Sequence, residues 1–385
     1  MPTQPAVKHL VLLGGGHSHV TVLREFGLRP VPGVRLSLVA RDIQTPYSGM
    51  LPGLIADHYR YEDCHIDLDR LARFAGATLI HAEAEGLDPE QRCLHLPNQP
   101  PLHYDLLSIN IGSRPPTLNI PGAADYALPV KPIDEFLRHW DAVLTRFRRH
   151  SGPFRVVMTG AGAGGVELLL AIQHRLRYEQ QYHGLRDVKL DCHLVSATPM
   201  ILPDHNASVR SRFEHLLHQR TIQVHTGVAV TQVAPDSITL SDGLTLPAEL
   251  VVWVTGAAAP EWLAASSLAT TEAGFIQLNP CLQSVSHPEV FAAGDIAHVV
   301  AYPRPKSGVF AVRQGPPLAA NLRRAALGHA LREFRPQQQF LSLISTGERH
   351  AVASRGQWSI AGAWTWRWKD YIDRAFMRRF SELST

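Results

Sequence analysis

Two stretches of the chain carry the same succession of an apolar run, a glycine turn and a second apolar run of longer period. His9-Leu10-Val11-Leu12-Leu13 predicts a buried strand that runs into Gly14-x-Gly16, after which Val20, Val22 and Leu23 begin a helix. Phe154-Arg155-Val156-Val157-Met158-Thr159 predicts another, running into Gly160-Ala161-Gly162-Ala163-Gly164-Gly165 and a helix that opens Val166-Glu167-Leu168-Leu169-Leu170-Ala171-Ile172. Each unit is followed by a further strand, Val34 to Ala40 in the first and Val188 to Val195 in the second. Leu106 to Ile111 and Leu250 to Val254 are apolar runs that end on Gly112 and Gly256, and Glu289 to Ala292 ends on Ala293-Gly294-Asp295. Strands that alternate with helices and read as unbroken apolar runs predict an α/β fold with parallel sheets.

Length changes that picture only by making room for two such units, since 385 residues suffice for two domains or for one inserted in another. A hydrophobic content of 45% with 18% charged residues is that of a globular protein with a large core. The balance of 37 basic against 34 acidic side chains is too even to argue for a nucleic-acid partner. No run of apolar residues is long enough to span a bilayer and the first ten residues have no signal-peptide core, so the sequence reads as cytoplasmic. Cys64, Cys93, Cys192 and Cys281 lie far apart, which suits a reducing compartment and forms no zinc pattern; the 21 histidines contain no H-E-x-x-H spacing, and no metal is expected.

The chemistry of the two units is that of pyrophosphate binding. Free N–H groups and the positive dipole end of a helix point at the phosphates, and glycine lets the backbone approach them. Two such loops on one polypeptide imply one tightly held redox cofactor and one diffusing nicotinamide. Gly294-Asp295, at a strand's carboxyl end, is where a ribityl hydroxyl or phosphate edge can be held, although the same residues also make an ordinary turn.

Taken in this order, the motifs from about residue 8 to 325 resemble the flavoprotein family with two dinucleotide-binding domains, which includes type II NADH:quinone oxidoreductases, sulfide:quinone oxidoreductases and the disulfide reductases. GGGHSHV, Tyr47-Ser48-Gly49-Met50-Leu51-Pro52-Gly53 and Lys369-Asp370-x-x-Asp373-Arg374 are most similar to the oxidoreductase module that occurs alone or fused to selenide, water dikinase. The resemblance implies two Rossmann-like domains, the second inserted in the first. An FAD domain would comprise 1–117 and 251–330, an NAD(P)H domain 118–250, and a short C-terminal interface region 331–385. Gly14, Gly16, Gly112 and Gly294-Asp295 would then hold FAD, with His17, Ser18 and Arg41 beside it, and Gly160, Gly162 and Gly165 would receive NADH or NADPH. Glu167 matches an acid near the nicotinamide. Lys131 matches a lysine near the flavin, Tyr47 belongs to an irregular loop past the isoalloxazine, and Phe310 lies in a segment bordering the flavin and quinone side. His19 occupies the slot of a small residue and is expected to turn toward the cofactor, whereas His17 is expected to point outward.

Several positions depart from the family pattern. Only Cys64 lies between Ala40 and Arg73, so the redox-active disulfide of the reductases is not expected. Ser307-Gly308 stands where quinone reductases have Ala-Gln. Neither second strand ends on an acid: the first offers Ala40-Arg41-Asp42, where Arg41 packs on adenine or Asp42 reaches the ribose, and the second offers Ser196, which leaves NADPH open beside NADH. Trp364, Trp366 and Trp368 alternate as on a strand, and from Trp368 the spacing predicts a basic amphipathic helix with Trp368, Tyr371, Ile372, Ala375, Phe376 and Phe380 on one face. Such a helix either lies on the inner membrane surface or docks on its own domain or on a second subunit in a homodimer. The acceptor implied is a quinone or a sulfur or selenium compound. The rival readings are a sulfide- or selenium-compound-oxidising flavoprotein with a vestigial nicotinamide site and a nucleotide-binding regulatory protein without turnover.

Overall fold

The computed structural model describes residues 7–114 and 120–383. Two five-stranded sheets, both wholly parallel, form its centre. The first runs Val290–Ala292, Leu106–Ile109, Lys8–Leu13, Val34–Ala40, Thr78–His81, and the second runs Ala127–Pro129, Leu250–Trp253, Pro153–Thr159, Lys189–Ser196, Ile222–Thr226. In each the strand leading into a glycine loop is central, because helices cover both faces and the central strand must be apolar on both. Leu10, Val11, Leu12, Val156, Val157 and Met158 are accordingly fully buried.

The repeat extends to single hydrogen bonds. Gly14 N–H donates to the Val39 carbonyl and Gly160 N–H to the Val195 carbonyl, each at 2.7 Å. Asn110 N–H donates to Leu13 at 2.8 Å, as Val254 N–H does to Thr159 at 3.1 Å. The α/β expectation is met. The first sheet is built from two separated stretches of chain, and the second is completed between them. One expected boundary moves: Leu250–Trp253 pairs with Pro153–Thr159 and Ala127–Pro129, so the chain leaves the second sheet after Trp253 and not at 251. The expected boundary at 117 lies outside the described residues.

Two other expectations are corrected. The Pro46–Gly53 stretch is not an irregular loop but a 3-10 turn, Ser48–Met50, and a short helix, Leu51–Ile55. Leu51 and Ile55 join the core around the second glycine-loop helix, Ala163–Tyr182, which ties the two halves together. The tryptophan alternation is not a strand either. An antiparallel sheet of Ser342–Ser345, Ala351–Arg355 and Trp358–Gly362 ends at Gly362, and the helix Ala363–Ser381 starts at once. Trp364 and Trp368, four residues apart, stack on one face at 6.3 Å, while Trp366 turns inward over Tyr59.

The faces of that helix also differ from the predicted ones. Phe376, Met377 and Phe380 enter the core of the first sheet, but Lys369 and Asp373 are buried beside them. Trp364, Trp368, Tyr371 and Ile372 are exposed. Among the described residues no helix is long and apolar enough to cross a membrane.

Candidate functional site

The carboxyl ends of the strands in both sheets open into one cleft of about 630 Å3. Its walls include Gly14, Gly16 and His17 from the first loop, Tyr47 and Ser48, Asn110 to Arg114, Lys131 to Asp134, and Gly164 from the second loop. Gly294, Asp295 and Lys306 to Val309 close the far side. Crevices at this end of a doubly wound sheet are where such folds hold ligands, because strand ends and helix N-termini leave backbone N–H groups unpaired there.

The first loop is shaped by Asn110. Its Oδ1 accepts from Ser18 N–H at 3.0 Å and His19 N–H at 3.2 Å, and its amide donates to the Ala293 carbonyl at 2.7 Å. A Cβ at Gly14 or Gly16 would lie 2.5 Å from Asn110 atoms, so both glycines are required for this approach. Gly112 and Gly294 have φ of +76° and +75°, and a Cβ at Gly112 would meet nothing within 4 Å. The second loop has an analogous division of labour. A Cβ at Gly165 would lie 1.9 Å from the Gly160 carbonyl oxygen, so this glycine packs helix on strand, whereas one at Gly162 would stand in open space. Among the described residues no side chain caps the helix that follows, Ala163–Tyr182.

These features fit two dinucleotides. Gly14 to Gly16 line the cleft at the first helix start, Gly162 and Gly164 leave open space at the second, and the indole N–H of Trp253, which lines the cleft, has no hydrogen-bond partner among the described residues. No acid or cation ends the second site's strand: Ser196 Oγ pairs with Thr198 Oγ1 at 2.8 Å, and Arg210 donates back to His205 O.

The two histidines exchange the roles expected of them. His17 does not point outward. It lines the cleft, edge-on to Tyr47 at 5.4 Å, and its Nε2 accepts from Ser48 N–H at 3.4 Å. Burial pushes it down to about 4, so it is neutral at pH 7. His19 does not turn toward the cofactor site. Its Nδ1 meets the Gly14 carbonyl at 2.6 Å and its Nε2 meets Ser108 Oγ at 2.8 Å, so the imidazole fills the wider helix–strand gap and pins the loop from behind.

Replacing it tests this. His19→Ala is expected to cost about 2–3 kcal/mol at pH 7 through lost hydrogen bonds and a cavity. Burial holds His19 at about 4 instead of 6.5 in the folded chain. As pH falls between those values the unfolded chain takes up a proton that the folded one refuses, so the histidine's contribution drains away toward acid. Urea melts should therefore show the gap between the two proteins narrowing from pH 7 to pH 4.5. An unchanged gap would refute the buried, neutral imidazole.

Behind Tyr47 lies a buried charged cluster. Lys369 Nζ donates to Asp373 Oδ2 at 2.7 Å and to the Gly49 carbonyl at 2.5 Å, and Asp373 faces the Tyr47 hydroxyl. Tyr47 itself stacks on Phe376 at 4.5 Å. Glu167 Oε1 accepts from Ser345 N–H at 2.8 Å, so it faces the C-terminal region, with the Lys369 charge opposing the upward push of burial. Burial also raises Asp373, against the pull of Lys369, and raises the Tyr47 phenol.

Other expected site residues fall differently. Lys131 Nζ pairs with Asp295 Oδ2 on the cleft wall. Arg41 lines the cleft but is held by Asp42 at 2.8 Å and Glu135 at 3.0 Å, so it is not free to pack on a base. Ser18 turns away and donates to the Ala311 carbonyl at 2.6 Å, which joins the first loop's helix to the helix Gly308–Ala326. Phe310 is buried edge-on to Phe340 at 5.4 Å and does not line the cleft. The residues missed are Asn110, Lys306 and Asp134, which burial and then Asp42 push up to about 6. Asn110 had a signal, an amide ending an apolar strand before glycine. Among the described residues no group of three or more His, Cys, Asp or Glu is placed to hold a metal ion.

The sequence profile of the pyridine nucleotide-disulphide oxidoreductase family matches residues 8–315. An NADH dehydrogenase-like protein of Mycobacterium tuberculosis is 29% identical over 240 residues, 61% of this chain and 58% of the relative. The type II NADH:quinone oxidoreductase of the same organism is 27% identical over 286 residues, 68% of this chain and 61% of the relative. The chain thus spans about three fifths of the length of these curated relatives. The sulfide:quinone oxidoreductase of Aquifex aeolicus superposes with a TM-score of 0.81 at 18% identity, over 98% of this chain and 92% of the other, a likeness of fold.

Proposed function

The chain belongs to the pyridine nucleotide-disulphide oxidoreductase family, and from that premise we propose that it is an FAD enzyme that takes a hydride from NADH or NADPH and passes the electrons to a quinone. The observation that carries the reading is the single cleft into which Gly14 to Gly16 and Gly164 both open. Two dinucleotides laid on the two loops would converge there, which is what hydride transfer requires. Bound FAD supplies the capacity to accept two electrons from one partner and release them to another. The protein's part is to bind, orient and protonate.

Gly14, Gly16, Gly112 and Asp295 are assigned to FAD, and Gly160, Gly162 and Gly165 to the nicotinamide nucleotide's loop. His17, Tyr47 and Trp253 wall the cleft with rings that exclude water. A quinone needs two protons as well as two electrons. Tyr47, on the cleft wall, holds one on a hydroxyl that faces Asp373, with Lys369 behind to replace it and Glu167 as a further raised carboxyl nearby. Against a route through sulfur, none of the four cysteines lines the cleft, and burial pushes the Cys64 and Cys192 thiols up to about 12.

A quinone acceptor is a lipid, and the exposed Trp364, Trp368, Tyr371 and Ile372 fit contact with a membrane surface. Full-length protein is expected to float with anionic liposomes, and a Trp364→Ser, Trp368→Ser, Tyr371→Ser variant to stay in the bottom fraction. Equal flotation would remove the membrane contact; a doubled mass in light scattering would assign the face to a homodimer instead.

The central experiment is anaerobic stopped-flow spectroscopy of the FAD-loaded protein. NADH or NADPH is expected to bleach the flavin band and a short-chain quinone to restore it. Failure of both nicotinamides to bleach it refutes the donor assignment and favours a protein without this turnover. Bleaching without reoxidation refutes the quinone.

A further inference from the structure

Asp295, the acid of the Gly-Asp turn, has its charge taken up by Lys131, whose Nζ is its partner. A second lysine stands at the same wall without such a partner. Lys306 lines the cleft together with Gly294, Asp295 and Ser307, immediately before the helix Gly308–Ala326, whose N-terminus no side chain caps among the described residues. Its Nζ donates to the Ala297 carbonyl and sits 4.0 Å from the centre of the Phe275 ring. No carboxylate lies within 4 Å of it among the described residues. The groups that face it are the more distant Asp295 and His298, besides that ring and that carbonyl.

An ammonium held half-buried against a ring, beside an uncapped helix start, is a concentration of positive charge that the chain itself does not neutralise. Burial pushes Lys306 down to about 8, with Asp295 opposing, so the charge is held at a cost the cleft's occupant can recover. Oxidised flavin is neutral at its ring. Accepting a hydride, two electrons and one proton, leaves the ring a monoanion, and a nearby cation favours that form over the oxidised one.

We propose that Lys306 is a positioning residue that sets the flavin's reduction potential, its ammonium favouring the anionic reduced ring. The proposal rests on the FAD reading above.

The test compares FAD-loaded wild type with Lys306→Gln, which retains a donor toward Ala297 O, and Lys306→Arg, which retains the charge. Dithionite titration against a reference dye reads the midpoint potential without any nicotinamide. Lys306→Gln is expected to weaken flavin reduction about tenfold, equivalent to about 30 mV more negative for a two-electron couple, and Lys306→Arg to restore most of it. In wild type the potential should fall more steeply with pH above about 8 than below it, because reduction there draws a proton onto Lys306.

Equal potentials in wild type and Lys306→Gln, or an arginine variant that behaves like glutamine, overturn the proposal. Should Lys306→Gln not retain FAD, the wild-type pH profile decides, and a profile without that steepening overturns it. Failure of NADH and NADPH to bleach a flavin whose potential does respond to Lys306 would refute the donor assignment alone. A wild-type protein that takes up no flavin would overturn both.

Discussion

A Gly162→Val protein is expected to fold, to carry FAD and to lose its nicotinamide donor. Gly162 has φ −69° and ψ 175°, which any L-residue adopts, and a Cβ there would meet no atom within 4 Å. Substitution therefore costs the fold almost nothing. The open space it fills is the approach to the free N–H groups of the helix Ala163–Tyr182, where a pyrophosphate must come within hydrogen-bond distance of the backbone. We expect kcat/KM for NADH or NADPH to fall about 100-fold or more, a loss near 3 kcal/mol of transition-state binding.

The flavin spectrum and the melting temperature should stay at wild-type values. Gly165→Ala provides the contrast, because its Cβ would strike the Gly160 carbonyl at 1.9 Å and destabilise the unit itself. If Gly162→Val kept its activity toward the nicotinamide, the second loop would not be the donor site. If it lost FAD instead, the two loops would have their cofactors reversed.

The second large effect is expected at Lys369. Its side chain and that of Asp373 are 10% and 7% exposed, and Glu167 depends on the same ammonium. Lys369→Met would leave two buried carboxyls without a counter-charge and release the Gly49 carbonyl from its donor. Breaking a buried pair from one side costs about 3–5 kcal/mol. Chemical denaturation should show a loss of that size, and a Lys369→Met, Asp373→Leu double variant should recover a large part of it, since an apolar pair leaves less charge stranded. Reoxidation of reduced flavin by quinone should also slow in the single variant while nicotinamide reduction does not. A single variant as stable as wild type would show that the cluster is hydrated and not a buried network.

Much of the fold was legible because parallel strands buried on both faces have to be apolar throughout, so Lys8–Leu13, Val34–Ala40 and Pro153–Thr159 announce themselves within a residue of their ends. The glycine loops were equally plain, since only glycine satisfies the close approaches at Gly14 and Gly165. The tail's pattern is ambiguous because three tryptophans at alternate positions fit a strand as well as a helix whose positions 364 and 368 share one face. The burial of Lys369 and Asp373 is not legible in the pattern, because charged side chains ordinarily stay in water and only the mutual pairing of these two makes their burial tolerable.

The histidines of GGGHSHV mark the division between the two kinds of information. Local pattern alone places a glycine loop between a buried strand and a helix, and a histidine at a position normally small. Which imidazole faces the cleft and which one braces the loop was decided by partners 30 or more residues away: Ser108 for His19, and Ser48, Tyr47 and Phe376 for His17. Rotation about two side-chain bonds carries a ring from one side of a helix to the other at little local cost, so the choice lies with distant hydrogen-bond and packing partners.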